Sequence, residues 1–117
     1  MKKPPNYARE VRPWGNFERF TLNEETTVKI ITVNAGESIS LQTHQHRDEF
    51  WFVIAGAGII RIGSDEFEAT PKKFYFCPRG SVHRVSGGPD GTTFLEIAFG
   101  HFDEADIVRL EDLYSRV

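Results

Sequence analysis

The sequence predicts a small all-β protein: antiparallel strands closed into a barrel or packed as a sandwich, with one short helix near the C-terminus. Three observations predict it. Short runs of β-branched and aromatic residues recur along the chain. Glycine, proline and asparagine clusters separate those runs at regular spacing, as in sandwiches and barrels. Helical periodicity is confined to the segment after Asp103. The length of 117 residues suits one domain large enough to bury a core without staples.

Residues 1–16 read as an N-terminal arm, because Pro4, Pro5 and Pro13 fix φ, remove donors and oppose a helix. Residues 17–117 read as a single domain. Thr26 to Val33 is a strand rich in β-branched residues, Asn34-Ala35-Gly36 turns it, and Glu37 to Gln42 alternates polar with apolar. Phe50 to Ala55 is an apolar strand ending at Gly56-Ala57-Gly58, and Ile59 to Ile62 resumes it. Gly63-Ser64-Asp65 turns the chain into Glu66 to Ala69, and Phe74 to Cys77 stops at Pro78-Arg79-Gly80. His83 to Ser86 leads into Gly87-Gly88-Pro89-Asp90-Gly91, read as a loop, and Thr92 to Phe99 is the last long strand. Asp103 reads as the cap of a helix over Glu104 to Leu113, with Ile107, Leu110 and Tyr114 spaced for one face. The 10 phenylalanines read mainly as filling for the core.

A net charge of -3 and a pI near 5.8 give no basic footprint for nucleic acid. The basic start Met1-Lys2-Lys3 is followed by no apolar stretch, so neither a signal peptide nor a membrane anchor is expected. One cysteine, Cys77, permits no internal disulfide and fits a reducing compartment. The expectation is a cytoplasmic protein.

The chemistry concentrates in two stretches. On a strand, Gln42 and His44 point to one face. Glu49 follows across a bend, and Pro78-Arg79-Gly80 delivers His83 onto a new strand. Imidazole, carboxylate and amide donors suit one divalent transition ion, with Zn, Mn, Fe, Co and Ni all compatible. A competing register takes His44 and His46 as the pair. A lone histidine is more often structural than a ligand, and His101 reads as a surface residue.

These residues resemble the cupin superfamily, whose fold is a double-stranded β-helix or jelly roll. Gly36, Gln42, His44, Glu49 and Gly56 match its first motif, with Gln in place of the first His, and Pro78, Gly80 and His83 match its second. Lys72 and Gly87 depart from the pattern, but neither is a ligand position. Beyond the superfamily, Arg12-Pro13-Trp14-Gly15, the stretch Leu41 to Trp51 and the stretch Asp106 to Asp112 resemble the C-terminal domain of type II mannose-6-phosphate isomerases. The resemblance runs from Arg12 to Arg116 and implies interconversion of mannose 6-phosphate and fructose 6-phosphate. It makes Arg47 and Lys29 candidates for holding the phosphate or the polar face of the substrate, and Glu96 and His46 candidates for proton transfer. The plainer readings are solvated charges at Arg47 and Lys29, and a buried partner of a ligand at Glu96. Gln45, Asp48, Phe50 and Ala98 depart from the family's usual lining. The alternative function is a metal-holding module that binds a small sugar-like ligand without turnover. Family habit and the unplaced Trp14 imply a homodimer.

Overall fold

The computed structural model describes residues 2–114. Nine strands follow in order: β1 (Ala8–Arg12), β2 (Gly15–Arg19), β3 (Thr26–Val33), β4 (Leu41–Thr43), β5 (Glu49–Ile62), β6 (Asp65–Ala69), β7 (Phe74–Cys77), β8 (His83–Phe99) and β9 (Val108–Glu111). β1 and β2 form a hairpin of their own, which carries the residues read as an arm. The other seven strands make one antiparallel sheet in the order β6-β5-β8-β4-β9, with β3 added to β8 and β7 to β5.

Two long strands organise this sheet. β5 pairs with β8 from Glu49↔Ala98 to Ile62↔His83, with register shifts between Val53 and Ala55 and between Gly56 and Gly58. Those irregularities bend both strands, so that their opposite ends face one another across the interior. Trp51, Val53, Ile60, Val85 and Phe94 alternate inward and form the core with Tyr75 and Cys77. Phe50 lies on the other face, buried under Phe20 at 5.1 Å and Phe74 at 5.6 Å.

Three expectations are corrected. First, no helix covers Glu104 to Leu113; the segment is a turn followed by β9, which pairs with β4. The Asp103 carboxylate accepts from the Ala105 N–H two residues on, a local turn that competes with a helix cap. Val-Arg-Leu-Glu also alternates with period two, and the open edge of β4 decides between the periods. Second, the sheet does not close into a complete barrel among the described residues, since its end strands β6 and β9 do not pair with each other. Third, Gly87 to Gly91 is not a loop between two strands but the middle of β8. Gly58 pairs with Gly87 so tightly that a Cβ on Gly58 would stand 2.1 Å from the Ser86 carbonyl oxygen. Such backbone contact explains glycine inside a strand. No helix among the described residues is long and apolar enough to cross a membrane.

Candidate metal centre

His83 opens β8 directly after the Pro78-Arg79-Gly80 turn, and Glu49 opens β5. His44 follows β4, and its carbonyl accepts from the Gly80 N–H at 2.7 Å, which ties the two histidine-bearing segments together. The result is a buried group of His44, Glu49 and His83 whose ligand atoms all lie within 4.8 Å of one another.

Hydrogen bonds set which imidazole nitrogen is available. His44 Nδ1 lies 2.6 Å from the Asp106 carbonyl oxygen and His83 Nδ1 lies 3.3 Å from that of Ser81. A carbonyl only accepts, so each Nδ1 carries the proton and each Nε2 presents a lone pair inward. His83 Nε2 is buried without a hydrogen-bond partner, 3.8 Å from Glu49 Oε1. Burial first, with Glu49 partly offsetting it, lowers the His83 pKa to about 4, which keeps the ring neutral. Two neutral imidazoles and one carboxylate, with one nitrogen left unpartnered, fit a divalent transition ion.

Around this group stand the other candidates. Arg47 is buried; its Nε donates to Glu49 Oε2 at 2.9 Å and its Nη2 to His44 Nε2 at 3.2 Å. Trp51 Nε1 donates to Glu49 Oε1 at 3.3 Å, and its ring meets His83 edge-on at 5.3 Å. Glu96 lies in register with Trp51 on one side and Lys29 on the other. Burial first, then the neighbouring Glu49 charge, pushes its carboxyl up to about 7. Lys29 is half-exposed and pairs with Glu104 at 3.2 Å. His46 sits exposed on the turn after His44 and is not in the buried group. Gln42 is the cross-strand partner of His83, and its Oε1 accepts from Ser40 Oγ at 3.1 Å.

Sequence reading missed the segment 100–107, because its acids looked like the first turn of a helix. It covers the group instead. Lys29 Nζ lies over the Phe102 ring at 4.2 Å from its centroid and the Arg47 guanidinium at 4.4 Å. Arg47 Nη1 donates to the Asp103 carbonyl, and the Asp106 carboxylate accepts the N–H groups of Gln45 and His46. Burial raises the Asp106 pKa, but those two N–H groups outweigh it and hold the carboxyl below its ordinary value. Cys77 is buried, and desolvation first and Glu49 second raise its pKa well above the ordinary thiol value, so it is not poised as a thiolate ligand.

A family model described as mannose-6-phosphate isomerase C-terminal matches residues 2–112. The chain is 35% identical over 113 residues to the alginate biosynthesis protein AlgA of Pseudomonas aeruginosa, covering 95% of this chain and 24% of that one. It is 37% identical over 112 residues to the mannose-1-phosphate guanylyltransferase ManC of Salmonella typhimurium, covering 93% and 23%. The chain thus spans about a quarter of the length of these curated relatives. A cupin protein from Bacteroides fragilis superposes with a TM-score of 0.59 at 21% identity, over 70% of this chain and 72% of that one, which shows a shared fold.

Proposed function

The chain belongs to the mannose-6-phosphate isomerase C-terminal family, and from that premise we propose that it is a metal-dependent aldose–ketose isomerase of a six-carbon sugar phosphate, interconverting mannose 6-phosphate and fructose 6-phosphate. The observation that carries the reading is the buried His44–Glu49–His83 group with a carboxyl of raised pKa, Glu96, beside it. Gln42, opposite His83, would supply the fourth ligand. A divalent ion (Zn, Mn, Fe, Co or Ni) held by these residues would supply Lewis-acid chemistry toward a sugar oxygen. Glu96 moves the proton between adjacent sugar carbons, since a group titrating near 7 both takes and returns a proton at neutral pH. His46, at the rim, is the second proton-transfer candidate. Arg47 and Lys29 orient the polar face of the sugar phosphate, with Phe102 fixing their spacing. The reading places the protein in the cytoplasm as a homodimer.

A second reading, a metal-holding module without turnover, is favoured by one observation. Arg47 and Trp51 already contact the ligand atoms, and cavities of about 400 Å³ and 370 Å³ elsewhere are lined by none of His44, Glu49 or His83.

The test is elemental analysis of purified protein, then turnover of mannose 6-phosphate. His83→Ala is expected to lose the ion and all turnover, while Arg47→Ala mainly raises KM. No turnover of any hexose phosphate by metal-loaded wild type leaves the second reading standing.

A further inference from the structure

Two buried polar side-chain atoms lack a hydrogen-bond partner among the described residues: His83 Nε2 and Arg109 Nε. The first is a lone pair that a cation satisfies. The second is a charged donor, and an unpaired buried donor is costly enough to need an explanation such as a bound ion.

Register shows where Arg109 stands. β4 pairs with β9 as Leu41↔Glu111, Gln42↔Arg109 and Thr43↔Val108, with a bulge between Leu41 and Gln42. Leu110 is the extra residue. In a regular strand Arg109 and Glu111, two residues apart, would face the same way. With the bulge, Glu111 follows Leu41 to the face opposite Gln42, where it pairs with Arg84, and Arg109 follows Gln42. Gln42 is also opposed to His83. Directly opposed residues share a face of the sheet, so Arg109, Gln42 and His83 form one row across three strands. That row spans two strand spacings, roughly 10 Å.

Charge pairing separates this arginine from the two cations already placed at the site. Lys29 is paired with Glu104, and Arg47 with Glu49. Arg109 has no ion pair among the described residues, although its side chain is half-buried. From this juxtaposition of an unpaired guanidinium with the metal group, we infer that Arg109 holds the anionic group, a phosphate monoester, of the small molecule entering this site. The inference rests on the sugar-phosphate reading above. It adds a binding residue to Arg47 and Lys29. A guanidinium grips phosphate with two parallel N–H donors.

Inorganic phosphate is the probe, titrated calorimetrically into the chelator-treated full chain. Arg109→Gln is expected to weaken phosphate binding at least tenfold, Arg109→Lys to weaken it less, and Lys29→Gln to cost less than Arg109→Gln. In the folded wild type, phosphate is expected to protect Arg109 from phenylglyoxal, read by mass spectrometry, which serves if Arg109→Gln fails to fold. Equal phosphate affinity in wild type and Arg109→Gln, equal modification with and without phosphate, or no phosphate binding at millimolar concentration overturns the inference. Loss of turnover on every hexose phosphate, with Arg109-dependent phosphate binding intact, sinks only the isomerase reading.

Discussion

His83 and Glu96 are held in opposite senses by the same burial. In metal-free protein His83 titrates near 4 instead of 6.5, and Glu96 near 7 instead of 4.5. The signs follow from which state binds the proton. As pH falls from 6.5 to 4, the unfolded chain protonates His83 and the folded chain does not, so stability is lost. As pH falls from 7 to 4.5, the folded chain protonates Glu96 and the unfolded chain does not, so stability is gained. The two slopes offset one another over most of that window. Glu96→Gln removes the gain and exposes the loss, at most about 1.4 kcal/mol per pH unit for one proton. Urea unfolding in chelator at pH 7, 6 and 5 reads this directly; parallel profiles for wild type and variant refute it. The histidines and Glu49 were legible in the sequence because turn residues at fixed offsets announce them. Arg109 was not, because its place opposite Gln42 depends on the pairing of β9 with β4, which no local pattern marks. Arg47 could be read as a surface charge, whereas its burial comes from the segment 100–107 folding over it.

At the scale of the strand, glycines at the bends carry two separable demands. At Gly63, φ +62°, an added Cβ would meet nothing within 4 Å, whereas at Gly56, φ +80°, a Cβ would lie 2.2 Å from the Gly91 carbonyl oxygen. Gly63→Ala therefore costs the left-handed backbone penalty alone, about 1–2 kcal/mol. Gly56→Ala adds displacement of the β8 backbone, about 1–3 kcal/mol more by analogy with overpacking. Thermal or urea unfolding of the two variants checks the order, and equal losses would refute the close-approach account. β3 and β7 were readable to their ends, because β-branched and aromatic runs met clear breakers. β8 was not, since its five-residue glycine-rich centre looks like a loop until its neighbours' backbones are in place. β9 resembles a helix in sequence for a related reason: both periods fit four residues, and only the edge of β4 chooses between them.

At the scale of the whole molecule, the β1–β2 hairpin stands apart from the main sheet. Tyr7 packs its base on Phe20 at 5.9 Å and Phe74 at 6.5 Å, and Asn6 reaches Glu24 at 3.2 Å. The far end carries Val11 and Trp14, 72% and 74% exposed. The extents are 51 × 32 × 22 Å, and the radius of gyration is 14.6 Å, against about 13.4 Å for a compact chain of this length. A lone two-stranded hairpin is marginal in water, and an exposed tryptophan on it gains most by burial against another surface. The open edge of β3, with Val28 and Ile30 exposed, offers an apolar surface of matching kind on a second copy. A homodimer is therefore expected, near twice the 13.4 kDa of one chain by light scattering. Trp14→Ala should weaken the dimer by at least about 2 kcal/mol, roughly thirtyfold, if the ring is a central anchor. Dilution of wild type should shift tryptophan emission to the red as Trp14 meets water, with Trp51 buried throughout. A monomeric mass at about 100 μM, or a dimer indifferent to Trp14→Ala, would show that the hairpin is not the contact.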